Sequence, residues 1–182
     1  MILKRAFDFT GALVVVFLFF WIILICIVTA SIDTKSFGLF IQKRIGQHGK
    51  TFQIFKIKTL NDKTKTSSRF GKFLRKSKID ELPQLWNILK GDMSFVGPRP
   101  DIPGYYDALE GEARKILELK PGITSEASIK YRNEESLLAQ QDLPLAYNDR
   151  VIFPDKVRMN LDYYYHRSFL GDLKIIFKTI VR

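Results

Sequence analysis

Residues 77–100 read SKIDELPQLWNILKGDMSFVGPRP and contain the most informative pattern of the chain. An adjacent carboxylate pair, Asp80 and Glu81, opens a helix predicted over residues 80–90, and a Gly-Pro-Arg-Pro turn follows at residues 97–100. The helix is predicted from an apolar stripe at helical spacing: Leu82, Leu85, Trp86 and Leu89. The stretch therefore places two carboxylates at a helix start and an arginine in a stiff turn shortly after it.

The region just upstream is strongly basic, since residues 43–78 carry twelve Lys or Arg and a single acid, Asp62. The whole chain has a formal net charge of +10. Such a charge indicates an anionic partner, namely phosphorylated substrates, an anionic lipid surface or nucleic acid. The single cysteine, Cys26, excludes a disulfide within one chain, and the two histidines, His48 and His166, exclude a histidine-rich metal site.

Residues 12–32 contain no charge and match the ~20 apolar residues that cross a bilayer core. A cleaved signal peptide and a buried core helix are the alternatives, but signal cores span only ~7–15 residues and an all-apolar helix is hard to enclose. Lys4, Arg5 and Lys35 flank the run on both sides, so charge does not set its direction. A re-entrant helix would leave both ends in the cytoplasm, whereas a spanning helix would place the N-terminus outside.

The rest of the chain reads as short elements without repeats. A small β-hairpin is predicted from residues 39–45 and 51–59, and a polar loop follows at residues 61–68. Residues 69–78 predict a short basic amphipathic helix, either at the membrane interface or packed on the core. Later helices are predicted at residues 108–119, 134–148 with an interruption at Pro144, 154–167, and 173–181 with Asp172 as N-cap.

The carboxylate pair has both a structural and a chemical interpretation. Asp80 could simply cap the predicted helix, because Asp is a favoured N-cap residue. A helix start can also bind phosphate, and Lys56, Lys58 and Arg75 could neutralise a pyrophosphate there. A carboxylate in that position could attack phosphorus, while Glu81 holds a divalent cation or moves a proton. Mg²⁺ is the expected ion, because it prefers carboxylates together with substrate phosphates.

Three further residues are candidates for binding. Arg99 lies between two prolines that limit its backbone, so its guanidinium is either aimed at a phosphate or part of a stiff surface turn. Arg132 either binds substrate or pairs with the acids that follow it in the sequence. Asp162 lies in a predicted helix beside three tyrosines. It either binds substrate or simply belongs to the solvent-exposed face of that helix.

Five segments, in this order, resemble the small bacterial sugar transferases known as monotopic phosphoglycosyl transferases. They are Lys4-Arg5 with Asp8 and Gly11 before the apolar run, then residues 55–59, 80–85, 90–100 and 120–124. The resemblance covers nearly the whole chain, and its most specific part is Asp-Glu-Leu-Pro-Gln followed by Gly-Pro-Arg-Pro. The chain resembles the minimal catalytic unit, without the additional membrane helices of larger members.

The resemblance implies transfer of a sugar 1-phosphate from a UDP-sugar to polyprenyl (undecaprenyl) phosphate with release of UMP. This would be the first membrane step of bacterial glycoconjugate assembly, on the cytoplasmic face of the inner membrane. It implies that Asp80 is the nucleophile of a covalent phosphosugar intermediate, that Glu81 is its partner, and that both carboxylates hold Mg²⁺. The residues expected to bind substrate and phosphate are Lys56, Lys58, Arg75, Gln84, Arg99, Arg132 and Asp162.

Two departures from the family pattern affect these expectations. The usual Ser-Pro break of the membrane helix corresponds here to Phe20-Trp21, so the re-entrant course rests on the basic flanks and the need to meet a cytoplasmic substrate. Residues 125–129 read Ser-Glu-Ala-Ser-Ile where many members have a Gly-Leu-Ala-Gln run. That region is expected to shape the choice of sugar, which stays unassigned.

The expected fold is α+β and mainly α, with a re-entrant membrane helix, interfacial amphipathic helices and a small hairpin around the active site. The expected domains are a membrane element at residues 1–36 and a cytoplasmic-face catalytic part at residues 37–182. Membrane lipid is an expected partner, nucleic acid is not, and homo-oligomerisation is left open. The main rival is a membrane-anchored basic protein that binds anionic lipid or nucleic acid without catalysis, and a UDP-sugar hydrolase is a third interpretation.

Overall fold

A computed structural model describes residues 2–181 of the chain. The fold is mainly helical with two small two-stranded sheets, which confirms the predicted class. The helices are α1 Ile2–Thr34, α2 Arg69–Ser77, α3 Gln84–Lys90, α4 Glu126–Lys130, α5 Glu134–Leu138, α6 Pro144–Tyr147, α7 Phe153–His166 and α8 Phe169–Val181. The strands are β1 Leu39–Ile45, β2 Thr51–Ile57, β3 Ser94–Val96 and β4 Gly122–Thr124.

The chain divides into two compact units. The first unit runs up to Arg44 and resumes over Thr51–Met93, so it contains α1 to α3 and most of the β1–β2 hairpin. The second unit contains the hairpin turn Ile45–Lys50 and the chain from Ser94 onward. The predicted boundary at residue 36 concerns the membrane rather than these units, and it stays a prediction.

Helix α1 has 33 residues and, at 1.5 Å per residue, is about 50 Å long, more than the ~30 Å of a bilayer core. It is the one helix within residues 2–181 that is long and apolar enough to cross a membrane. Its apolar side chains are widely exposed, among them Phe17 at 81% and Trp21 at 69%. The α-helix continues through Phe20 and Trp21, and the predicted re-entrant course of this helix stays a prediction.

The predicted hairpin is confirmed, with its second strand ending at Ile57 rather than Thr59. The amide of Lys58, the next residue, donates to the carbonyl of Gly38 at 2.7 Å. Gly38 has to be a glycine, because a Cβ there would overlap the carbonyl oxygen of Ile27 in α1. This close approach fixes the start of the hairpin against the end of α1.

The core of the first unit joins α1, β2 and α2 through Ala30, Ile57 and Leu74, all at most 2% exposed. Helix α2 begins at Arg69 and is capped by Ser68, whose Oγ accepts from the Gly71 amide at 3.0 Å. It ends one residue before the end of the predicted 69–78 helix and packs on the core, as one of the two interpretations expected, whereas a place at the membrane interface stays a prediction. Leu74 faces the core, whereas Phe73 is 57% exposed.

In the second unit, β3 and β4 form a parallel pair that the sequence did not predict, with Ser94 opposite Gly122 and Val96 opposite Thr124. The predicted helix at 108–119 is a 3₁₀ helix over Gly111–Glu118. The predicted start of the last helix at residue 173 is wrong, because α8 begins at Phe169 after Ser168, whose Oγ accepts from the Gly171 amide at 3.1 Å. Helix α7 is shifted by one residue from its prediction.

Candidate active site

The predicted helix over residues 80–90 is divided in two. Asp80 and Glu81 lie in a 3₁₀ turn, Ile79–Glu81, and the α-helix α3 begins only at Gln84. Pro83 explains the division, because it has no N–H to donate and interrupts the i→i−4 ladder. Asp80 is therefore not the N-cap of α3, a place that Pro83 occupies. The capping interpretation of Asp80 is corrected accordingly.

The carboxyl group of Asp80 is buried and incompletely satisfied. The residue is 8% exposed, and its Oδ1 has no hydrogen-bond partner among residues 2–181. Burial, and then the charge of Glu81, raise the pKa of Asp80, while Lys56, Lys78 and Arg75 oppose this rise. A buried polar atom without a partner is rare in folded proteins and calls for an explanation. Buried groups with perturbed pKa values cluster at functional sites.

Glu81 is 6% exposed and forms an ion pair with Lys56. The Lys56 Nζ lies 3.1 Å from the Glu81 Oε1, and its side chain is 20% exposed. Lys56 lies near the end of β2, so the hairpin supplies the cation and the 3₁₀ turn supplies the carboxylates. The pair keeps one positive charge beside two adjacent carboxylates, in a place with little water to screen it.

The other predicted residues of the first unit have different surroundings. Lys58 lies just beyond β2 and pairs with Asp62 at 2.6 Å, which lowers the pKa of that carboxyl. The positive charge of Arg75, in α2, lowers the pKa of Asp80. Gln84 is 1% exposed, and its Nε2 finds no acceptor within the described part of the chain. An unsatisfied acceptor on Asp80 and an unsatisfied donor on Gln84 thus occur four residues apart.

The predicted apolar stripe of α3 is wrong at Trp86, whose side chain is 57% exposed. The buried residues of α3 are instead Gln84, Leu85, Asn87 and Ile88. Asn87 was not among the predicted functional residues, although its amide bonds to the backbone of β2. Periodicity did not point to Asn87, because this residue lies outside the predicted apolar stripe.

Three predicted residues, Arg99, Arg132 and Asp162, belong to the second unit. Arg99 is half-buried in its turn, which packs closely on the start of β4, since a Cβ on Gly97 would overlap the carbonyl oxygen of Lys120. Arg132 is exposed. Asp162 has a 71% exposed side chain and lies 3.0 Å from His166 Nδ1 on the same helix.

The carboxylate pair can contribute to a metal site but cannot form one alone. No group of three or more His, Cys, Asp or Glu residues suited to a metal ion occurs within residues 2–181. Mg²⁺ is commonly held by one or two carboxylates together with substrate phosphates. Asp80 and Glu81, with an oxygen of Asp80 unpartnered, fit that pattern.

Comparison with known proteins places these residues in a family context. The family model described as "Bacterial sugar transferase" matches residues 1–182. The uncharacterized sugar transferase EpsL of Bacillus subtilis is 36% identical, over 99% of this chain and 86% of its own. A UDP-glucose:undecaprenyl-phosphate glucose-1-phosphate transferase of Caulobacter vibrioides is 30% identical, over 97% of this chain and 68% of its own.

Larger relatives carry additional sequence. The UDP-glucose:undecaprenyl-phosphate glucose-1-phosphate transferase of Escherichia coli is 31% identical over 100% of this chain, which spans 40% of that protein. The chain likewise spans well under half of several other relatives that it matches.

Proposed function

Because the chain belongs to the bacterial sugar transferase family, we propose that it transfers a sugar 1-phosphate from a UDP-sugar to undecaprenyl phosphate. UMP is the second product. The glucose-1-phosphate transferases of Caulobacter vibrioides and Escherichia coli, which are named for a reaction of this kind, support the proposal. The observation that carries it is Asp80, a buried carboxylate beside a second carboxylate and a lysine, with one oxygen unpartnered in the described part of the chain.

The proposed chemistry has two displacements at the phosphorus that bears the sugar. In the first, an oxygen of Asp80 attacks that phosphorus, a new P–O bond forms, and the bond to the UMP oxygen breaks, so UMP departs with the bonding electrons. In the second, a phosphate oxygen of undecaprenyl phosphate attacks the same phosphorus and the bond to Asp80 breaks. The carboxylate is regenerated, and the lipid carries a diphosphate-linked sugar.

The remaining residues of the first unit supply charge and orientation. Lys56 keeps Glu81 in place and lowers the cost of a negative charge on Asp80. Lys58, Arg75 and Gln84 are proposed to bind phosphate oxygens, since each offers N–H donors. Lys58 would have to exchange its exposed partner Asp62 for substrate, which costs little because surface ion pairs are weak.

The Arg99, Arg132 and Asp162 side chains are proposed to bind the donor. Arg99 and Arg132 can bind phosphate bidentately, and Asp162 can accept hydrogen bonds from hydroxyl groups. Mg²⁺, held by Asp80 and Glu81, would screen the charge of the diphosphate and so ease the approach of a carboxylate.

The test is UMP release by the purified protein in detergent or nanodiscs, with Mg²⁺, undecaprenyl phosphate and a panel of UDP-sugars. We expect release with a matching sugar that depends on the lipid and is lost in Asp80→Asn. Incubation with the UDP-sugar alone should add the mass of one phosphosugar to the peptide that contains Asp80. Release without lipid beyond one UMP per enzyme molecule would instead indicate a hydrolase, and near-normal turnover in Asp80→Asn would exclude the covalent mechanism.

The membrane placement is part of the proposal. We place α1 in the bacterial inner membrane and the carboxylate pair on its cytoplasmic face, where UDP-sugars occur. Ile2→Cys, made in a Cys26→Ser background, can be probed on intact cells with a thiol reagent that does not cross membranes. No labelling from outside, with labelling after permeabilisation, is expected for a re-entrant helix. Labelling from outside would favour a spanning helix.

A further inference from the structure

Asn87 connects the helix that follows the carboxylate pair to the strand that carries Lys56. Its side chain is fully buried in α3. The Nδ2 donates to the carbonyl of Gln53 at 2.6 Å and, at 3.5 Å, to the Oδ2 of Asp92, and the Oδ1 accepts from the amide of Phe55 at 3.3 Å. Groups two residues apart on a strand point to the same edge, so the amide pairs with β2 as a neighbouring strand would.

This connection lies directly beside the ion pair of the candidate active site. Lys56 follows Phe55 in β2, and Glu81 precedes α3 by three residues. The Lys56–Glu81 pair therefore bridges the same strand and the same turn-helix segment that the Asn87 amide holds together. A shift of β2 along α3 would move the Lys56 ammonium relative to both carboxylates.

We propose that Asn87 is a positioning residue: its amide sets the register of β2 against α3 and thereby keeps Lys56 beside Glu81 and Asp80. This role deepens the proposed function, on which its catalytic consequence rests. Filling space does not require an amide at this position, because a leucine of similar size would need no partners. A buried amide is costly unless both of its ends are bonded, and here both ends are bonded to one strand.

The first test measures the surroundings of Lys56 without any substrate. The full-length protein is acetylated with a limiting amount of N-hydroxysuccinimidyl acetate, and labelling of Lys56 is measured by mass spectrometry relative to the exposed Lys72. In Asn87→Leu the ratio should rise several-fold, because Lys56 is released from Glu81. An unchanged ratio in folded Asn87→Leu would overturn the proposal.

A matched control comes from the second unit. Asn160 is also buried, at 2% exposed, and its Nδ2 donates to the Tyr106 hydroxyl at 2.9 Å. Asn160→Leu removes a buried amide of the same kind and should leave the Lys56 to Lys72 ratio unchanged. A ratio that rises equally in Asn160→Leu would mean general loosening and would contradict the proposal. If Asn87→Leu does not fold, Asn87→Ala takes its place under the same criterion, because it removes the two bonds to β2 without adding bulk.

The second test is a double-mutant cycle on turnover. Asn87→Leu should lower kcat about tenfold, with a smaller change in KM, because a small misplacement of a charged group costs rate. In a Lys56→Met background the same substitution should have little further effect, since the group that it positions is absent. Independent, multiplicative effects would overturn the positioning role. Absence of turnover in the unsubstituted protein would reject the proposed function alone, and the labelling ratio would still decide the role of Asn87.

Discussion

Two aspartates in this protein have opposite surroundings. Asp80 is buried with one oxygen that has no partner within residues 2–181, and burial raises its pKa. Asp155, at the start of α7, accepts from Lys130 and Tyr131 at 2.6 and 2.8 Å and from Arg158 at 2.8 Å, and these bonds hold its pKa well below the usual range. A carboxylate that is fully bonded contributes to stability, whereas an unsatisfied one costs stability and is available to react.

The largest expected difference between the two aspartates is in turnover. Asp80→Asn should lower kcat by at least about 10⁴-fold, because loss of a nucleophile removes the covalent route. Asp155→Asn makes the same chemical change at a bonded, structural position and should stay within about twofold of the unsubstituted rate. UMP release measures both. Comparable losses in the two variants would contradict the division into a reactive and a structural aspartate.

Lys56→Met should have the next largest effect. It removes the partner of Glu81 and the cation that most strongly opposes the rise in the pKa of Asp80. We expect kcat to fall about 10- to 100-fold, together with a loss of about 1–3 kcal/mol of unfolding free energy, because the buried carboxylate of Glu81 loses an ion-pair partner. Lys58→Met is the matched control, since Lys58 pairs with an exposed carboxylate and should leave stability nearly unchanged. If folded Lys56→Met were as stable as the unsubstituted protein, the result would contradict a strong Lys56–Glu81 ion pair.

The pH dependence of stability should separate the two aspartates by sign. The pKa of Asp80 in the folded state lies above the ordinary 3.8. The native state therefore loses stability as the pH rises from 3.8 through the folded-state pKa. For Asp155 the folded pKa lies below 3.8, so its contribution is present at higher pH and is lost as pH falls.

At pH 7 and without Mg²⁺, Asp80→Asn should therefore raise the unfolding free energy, and Asp155→Asn should lower it by about 1 kcal/mol. Both differences should shrink when denaturant unfolding is repeated below pH 3.8. A destabilised Asp80→Asn at pH 7 would mean that the carboxylate of Asp80 is satisfied in the folded protein.

Local patterns predicted much of the scaffold around Asp80. The β1–β2 hairpin followed from two alternating segments around Gly46 and Gly49, and α2 followed from its apolar spacing. The β3–β4 pair did not, because each strand has only three residues and its partner lies 28 positions away, as in Ser94 and Gly122. Strands this short carry too little alternation to be recognised, and their pairing depends on tertiary contacts.

The candidate site was predictable in residue type but not in its surroundings. The Asp80–Glu81 pair was evident from the sequence, but the apolar stripe predicted one helix over residues 80–90 where Pro83 separates a 3₁₀ turn from α3. Trp86 was assigned to the buried side from hydrophobicity alone, whereas Asn87 is buried because its amide bonds to β2. Periodicity cannot identify a polar side chain whose partners are backbone groups of another element.

The smallest expected effect concerns the end of α3 farthest from Asp80. Arg5 of α1 donates to the carbonyls of Ile88 and Leu89 at 2.6 and 2.9 Å, where a cation also complements the helix dipole. Arg5→Met should lower the unfolding free energy by about 1 kcal/mol, and Arg5→Lys by less, because a lysine keeps the charge but not the two-pronged geometry. Turnover per folded molecule should change less than in Lys56→Met, because Arg5 supports the helix rather than the charges at Asp80. A loss of turnover as large as that of Lys56→Met, at unchanged stability, would mean that α1 contributes to the chemistry itself.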